Sequence, residues 1–277
     1  MPDKEENLNW AAPVMRAGYA GRGLVYLVIA GFSIYAILQG GQAQGTGSVL
    51  KSLETAVWGQ VVLALIILGM AAYAVWRMVD AIWDLEDYGT DPKGVIARLG
   101  MVVTGVLHGG LGVAGLAVLL LAQDGGGSTI AEWTGKIMQL PAGRLIVGLA
   151  GAATVGAGLY YVYKALAQTY RKHLQANHIT RHWSWVLSAG VLGQAVVVTV
   201  IGGFLVYAAL TADASGAGGL NQVFEWLGTK PFGQFLVLAT CLGLLCFAVF
   251  CFVNAAYRII PKIDDPDLKS LADMMKS

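Results

Sequence analysis

Charge is scarce in this chain. Of its 277 residues only 13% are Asp, Glu, Lys or Arg, about half of what coats a soluble domain, and that excludes a water-facing globular protein. The 18 basic and 17 acidic side chains nearly cancel, leaving a formal charge of +1. Without a clustered positive field the chain is not expected to bind nucleic acid. Cysteine is sparse as well: three residues and no CxxC pair rule out a disulfide scaffold or a zinc ribbon. No P-loop, GxSxG, HExxH or paired acidic cluster falls in an apolar stretch, so nothing supports an enzyme.

What the chain has is apolar length. Six stretches contain no Asp, Glu, Lys or Arg: 23–50, 55–76, 99–123, 145–163, 182–212 and 231–257. Each is long enough for the roughly 20 residues that a helix needs to cross a hydrocarbon core. Lipid cannot satisfy an open strand edge, and no alternating pattern suggests a barrel, so helix is the expected structure. The start of the chain, MPDKEENLNWAAP, is polar and acidic. It lacks the basic segment and short apolar core of a cleaved signal, and all six helices are expected in the mature protein. Lys51, Lys136, Arg144 and Lys230 fall on one side of this arrangement, and the other 14 of the 18 basic residues fall on the opposite side. Basic loops stay cytoplasmic, which predicts that both termini are inside.

An internal repeat organises the helices. Gly18-Tyr-Ala-Gly-Arg22-Gly23-Leu-Val-Tyr26 opens the first, Gly100-Met-Val-Val-Thr104-Gly105-Val-Leu-His108 the third, and Gly190-Val-Leu-Gly-Gln194-Ala195-Val-Val-Val198 the fifth. The even helices align without gaps at Trp58-Gly59-Gln60, Ala142-Gly143-Arg144 and Phe232-Gly233-Gln234, and again at Asp80-Ala81, Lys164-Ala165 and Asn254-Ala255. The period of 82 to 90 residues suits a helical hairpin used three times. Repeats of about 14–91, 95–176 and 184–262 then form a single membrane domain over 1–277. Each copy runs from a long helix through a Gly-rich turn, such as 40–47 or 124–127, into a short amphipathic piece. Trp58, Trp133 and Trp226 stand where indoles favour the membrane interface.

The thrice-repeated helix pair with its Gly-Tyr-Ala-x-Arg-Gly-x-x-Tyr opening resembles the bacterial membrane family catalogued as domain of unknown function 1206. The resemblance covers roughly 14–258 and is most specific at Gly18–Tyr26. Copies two and three depart from it, with Thr104 and Gln194 where the first has Arg22. It implies an all-α fold of six transmembrane helices in three tandem pairs in a bacterial inner membrane, and no activity; the threefold repeat itself suggests packing around a pseudo-threefold axis.

Two polar constellations stand out. Gly18, Arg22, Tyr26 and Ser33 share a helix face, and the repeat puts Gly100, Thr104 and His108, and Gly190 and Gln194, on equivalent faces. Around a threefold axis, Arg22, Thr104 and Gln194 would share a depth, with Tyr26 and His108 one turn deeper. Polar residues in lipid face a bundle interior or a wet cavity, so this stripe reads as a constriction for a small solute or ion. It reads equally as interhelical hydrogen-bond glue, with Arg22 snorkelling to the interface. The second constellation is Asp80, Lys164 and Asn254, one acid, one base and one amide at equivalent depth. They form either an ion pair with a hydrogen-bonded third member or separate interfacial groups.

Other residues carry less. His108 lies about 13–14 Å into a core of roughly 30 Å and has no facing second histidine in a span, which argues against a haem. His178 and His182 sit in a basic loop that repels a metal cation. Cys241, Cys246 and Cys251 share no helix face, and the run Asp84-Leu-Glu-Asp87 reads as a solvated turn. No cofactor is expected. The expected partners are the lipid bilayer, a small solute or ion, and other membrane proteins. The leading function is a small-solute or ion conduit or transporter-like protein with the Arg22–Tyr26–Thr104–His108–Gln194 stripe inside. The other is a non-transporting scaffold or accessory subunit.

Overall fold

The computed structural model describes residues 8–54, 57–121, 129–264 and 268–274. Lys4, Lys276 and the Gly-rich turn at 124–127 lie outside them. Six long helices carry the fold: α1 (Ala11–Leu38), α3 (Val57–Trp83), α4 (Pro92–Leu121), α6 (Gly143–Leu166), α8 (Ser184–Thr211) and α10 (Gly233–Tyr257). Short helices follow α1, α4 and α8 at the end bearing the glycine-rich turns: α2 (Thr46–Glu54), α5 (Thr129–Met138) and α9 (Leu220–Gly228). Two more, α7 (His178–His182) and α11 (Leu271–Met274), lie at the opposite, basic end. The long helices have 24 to 30 residues, enough to cross a bilayer. All six are apolar enough to do so, and the chain is a multi-pass membrane protein.

Helix boundaries follow local chemistry as much as charge. Helix α1 starts twelve residues before the first uncharged stretch, with Pro13 in its first turn, where no backbone donor is needed. It ends at Leu38, and Gly40 takes a left-handed φ of 78°. Helix α4 also starts early. Asp91 Oδ1 accepts the Gly94 N–H at 2.9 Å, and Pro92 fills the first helical position.

The repeat is visible in backbone detail. Ala142 and Phe232, at equivalent positions before α6 and α10, both adopt φ 60°. Asp84 and Gln168, just past the ends of α3 and α6, both adopt φ 53°. A Cβ at Gly59, Gly143 or Gly233 would fall onto the Leu53, Ile137 or Gly228 carbonyl of the preceding short helix. These glycines therefore seat each short helix on the helix that follows it.

The long helices pack in the order α6, α8, α10, α1, α3, α4. Within repeat one, α1 meets α3 backbone to backbone at Gly21 and Gly69, with Gly18 against Tyr73. Within repeat three, α8 meets α10 at Gly193 and Gly243, with Gly190 against Cys246 and Phe247. Repeat two does not close this way. Helix α4 packs on α3 and α6 packs on α8, but α4 and α6 share no comparable interface. The positions equivalent to the glycine pairs are Val103 and Ala153, both exposed, and Gly100 has nothing within 4 Å of where a Cβ would stand. Side chains in place of the paired glycines remove the close approach that holds the other two hairpins shut. The six helices thus form an open series whose two ends, α4 and α6, share no comparable interface, and the second hairpin is left as an open seam.

Candidate functional site

The polar residues converge between the long helices, towards the basic end. Arg22 on α1 is buried in the span, not snorkelled to the end of the helix. Its Nη1 donates to the Tyr73 hydroxyl at 2.8 Å, and its guanidinium lies 4.9 Å from the Phe247 ring centroid, 5.1 Å from Tyr73 and 5.8 Å from Tyr26. No carboxylate pairs with it among the described residues. Its Nε is buried without a hydrogen-bond partner, as is Gln194 Oε1 on α8. Buried polar atoms in native proteins are nearly always satisfied, so two orphans at one depth are notable.

From Arg22 a ladder runs to the basic end. The Tyr73 hydroxyl also accepts from Arg77 Nε at 3.1 Å, and Arg77 Nη2 donates to the Tyr19 hydroxyl at 2.7 Å. Arg77 Nη1 reaches Asp80 Oδ2 at 3.4 Å and Glu86 Oε1 at 3.9 Å. Arg258 grips Glu86 with Nε and Nη2, each at 2.7 Å, and its Nη1 donates to Asn254 Oδ1 at 2.6 Å. Burial alone raises a carboxyl's pKa. At Glu86 the Arg258 and Arg77 charges and the Arg258 hydrogen bonds outweigh it and hold the group well below the usual carboxylate range. Beside it, His173 stacks on Tyr88 with centroids 6.1 Å apart. Burial first, and then the Arg258 charge, lower the His173 imidazole to about 4.

The sequence candidates are placed unequally. Arg22, Tyr26 and Gln194 stand together, and the Tyr26 ring meets Phe247 edge-on at 4.9 Å. Thr104 and His108 on α4 are only half-buried, because the seam beside them is open. Thr104 Oγ1 donates to Gly100 O at 2.7 Å within its own helix, and Ser33 bonds to the Gln44 backbone. His108 Nδ1 lies 2.8 Å from Thr104 O, which can only accept. Nδ1 therefore carries the proton, and the ring rests 4.8 Å from Tyr73.

The trio at the basic end is not bound together directly. Asp80 is paired with Arg77 and accepts the Glu86 N–H at 3.1 Å, and Asn254 is held by Arg258 and the Phe250 carbonyl. No ion pair joins Asp80 to Lys164 among the described residues: Arg77, one turn before Asp80 on the same helix, takes that place. Lys164 remains half-exposed, whereas Asp80 and Asn254 are buried.

Sequence reasoning missed Tyr73, Arg77, Glu86 and Arg258. Glu86 is a correction: read as part of a solvated turn, it is 3% exposed. Its partner Arg258 lies 172 residues away. Arg77, four residues after Tyr73 and three before Asp80, had a helical spacing that pointed to the network. The result is a cluster of four cations, Arg22, Arg77, Lys164 and Arg258, against two touching carboxylates, Asp80 and Glu86. Such a cluster can hold an anion.

Comparison with known proteins adds kinship without activity. The family model described as "Domain of Unknown Function (DUF1206)" matches residues 17–84, 99–168 and 189–258, one match per hairpin. The chain is similar to "Uncharacterized protein YxxB" of Bacillus subtilis (strain 168), 22% identical over 259 residues that cover 92% of this chain and 94% of that protein. No solved structure matches it.

Proposed function

This chain belongs to the DUF1206 family, whose description names no activity, and we propose from its own residues that it is a bacterial inner-membrane, transporter-like protein binding a small anionic group at Arg22. The observation that carries this reading is a buried guanidinium with no carboxylate partner and an unsatisfied Nε, inside a cluster with two more cations than acids. Charge taken into a membrane is costly unless it is paired, and an anion at Arg22 supplies the missing partner. Tyr26, whose hydroxyl can donate, and Gln194, which must turn its amide NH2 rather than its unpaired oxygen towards the anion, then line the place where that anion sits. The ladder through Tyr73 and Arg77 connects this centre to the basic end, which the excess of Lys and Arg assigns to the cytoplasm.

The test is anion-dependent stability of the purified protein. Inorganic phosphate, sulfate and acetate are titrated against chloride at constant ionic strength while thermal unfolding is followed. A bound anion stabilises by roughly 2.7 kcal/mol at a hundred times its Kd. We expect a saturable rise in Tm that Arg22→Gln abolishes. A wild-type protein indifferent to every one of these anions overturns the reading.

A second reading, a scaffold packing against partner membrane proteins, draws on the exposed small residues of the α4–α6 seam. It predicts that Arg22→Gln changes stability alone and no anion response.

A further inference from the structure

The seam has a composition and a position that together name an occupant. Its α4 wall is Gly100, Val103 and Leu107, and its α6 wall is Ala153, Ala157 and Tyr160, all exposed. Their counterparts in the other repeats are covered: Gly18, Gly21 and Val25 are buried against Gly69, Tyr73 and Trp76, and Gly190 and Val197 are buried, with Gly193 half-buried, against Phe247 and Phe250. The seam is therefore a helix–helix interface without its partner, at a depth where the surrounding medium is lipid. Acyl chains are what the bilayer offers to fill it.

The inner end of the seam is polar and cationic. His108 on α4 and Tyr161 on α6 flank it, and both lie within the field of the Arg22 guanidinium. Arg22 is 6% exposed, with its Nε unpartnered. At the basic rim stands Lys164, half-exposed where its counterparts Asp80 and Asn254 are buried, and near enough to feel Arg22, Arg77 and Arg258. An apolar slot that leads to surplus positive charge complements a molecule with a hydrocarbon tail and an anionic head.

We propose that the α4–α6 seam is a lateral binding site for an anionic phospholipid of the leaflet at the basic end, with one acyl chain between α4 and α6 and the headgroup phosphate between Lys164 and Arg22. This deepens the anion reading, on which it rests: the anionic group that Arg22 receives is a lipid headgroup, and it arrives from the bilayer through the open hairpin. Glycines in repeats one and three shut the equivalent lateral routes, so only repeat two gives access from the bilayer, while a soluble anion reaches Arg22 from the basic end.

The test uses the full chain, delipidated in neutral detergent. Phosphatidylglycerol, phosphatidylcholine with the same chains, and glycerol 3-phosphate are compared by native mass spectrometry and by Tm. Variants are Lys164→Gln, and Ala153→Leu with Ala157→Leu, which fills the seam at exposed positions. The expected result is a preference for phosphatidylglycerol over phosphatidylcholine of about fivefold for each cation engaged, reduced by Lys164→Gln and lost when the seam is filled. The filled variant should keep the wild-type response to inorganic phosphate, which shows that it is folded. Equal binding of the two lipids overturns the inference, as does phosphatidylglycerol binding that survives filling, or a dimer that disappears on filling. A phosphate response with no lipid preference leaves the anion site standing and removes the lipid. No response to phosphate or to either lipid removes both.

Discussion

Arg258 and Glu86 meet in a two-pronged ion pair, Nε to Oε1 and Nη2 to Oε2 at 2.7 Å each, across 172 residues of chain. The pair ties the end of α10 to the loop between α3 and α4, and so joins repeat three to repeat one beneath the polar cluster. Both groups are buried: the Tyr88 hydroxyl also donates to Glu86 Oε2 at 3.3 Å, Arg77 stands 3.9 Å from Glu86 Oε1, and Asn254 Oδ1 accepts from Arg258 Nη1. Removing one partner strands the other charge. We expect Arg258→Met or Glu86→Gln to cost about 3–5 kcal/mol, read as a fall in Tm in detergent. The double change Glu86→Leu with Arg258→Met should recover a large part of the loss, because no charge is then left unpaired. A double variant whose loss equals the sum of the two single losses would show that the pair is not coupled.

The glycine pairs make a sharper comparison, because the repeat supplies its own control. At Gly21 and Gly69, and at Gly193 and Gly243, a Cβ on one helix would collide with the backbone of the other. Gly21→Leu or Gly193→Leu must push two helices apart, at an expected cost of at least 1–3 kcal/mol, the usual range for overpacking. Val103→Leu, at the equivalent position in the open hairpin, should fall within about 0.5 kcal/mol of wild type. Thermal unfolding of the three variants side by side decides it. A Val103→Leu loss as large as that of Gly21→Leu would mean that the seam is closed in the membrane.

Much of this architecture was legible in the sequence because it is periodic. The openings at Gly18, Gly100 and Gly190, and the Trp58-Gly59, Ala142-Gly143 and Phe232-Gly233 starts, mark three hairpins, and the family model matches three regions. Arg22, Tyr26 and Gln194 could be placed on one inner face because helix spacing and repeat register are local rules. What stayed hidden depends on contacts between repeats. Glu86 sits in an acidic run that looks solvated until Arg258 is folded against it, and Asp80 takes its partner from its own helix. The open hairpin did have a signal, Val103 and Ala153 in place of two glycines. Its meaning appears only once the other pairs are seen touching.

Acid should loosen the basic end. His173 keeps its imidazole neutral down to about 4 in the folded protein, against 6.5 ordinarily. The charges that face it are Arg258, Lys164 and Arg77, with Glu86 opposing them and Tyr88 stacked on its ring. Between those two pH values the unfolded chain binds a proton that the folded protein refuses, so stability falls as pH drops from 6.5 towards 4. Glu86 acts in the same direction at lower pH: its depressed folded value gives stability that is present above about 4.5 and lost progressively below it. The measurement is Tm from pH 7 to pH 4. His173→Phe retains a ring to stack on Tyr88 and should flatten the upper part of the curve. An unchanged slope in that variant would remove His173 as the cause.

Orientation is testable with two positions. Lys93 is exposed at the start of α4, at the end of the molecule that also gathers Arg98, Lys164, Arg171, Arg258 and Lys262. Thr229 is exposed just past α9, at the opposite end, beside Lys230, whose ammonium lies 4.6 Å from the Trp226 ring centroid. The bias of basic residues predicts that the first end is cytoplasmic. With Cys241, Cys246 and Cys251 replaced by alanine or serine, intact cells expressing Thr229→Cys should label with a membrane-impermeant thiol reagent. Cells expressing Lys93→Cys should label only after lysis. The reverse pattern would invert the molecule, and the proposed lipid would then have to come from the outer leaflet, since Lys164 and Arg22 would face it.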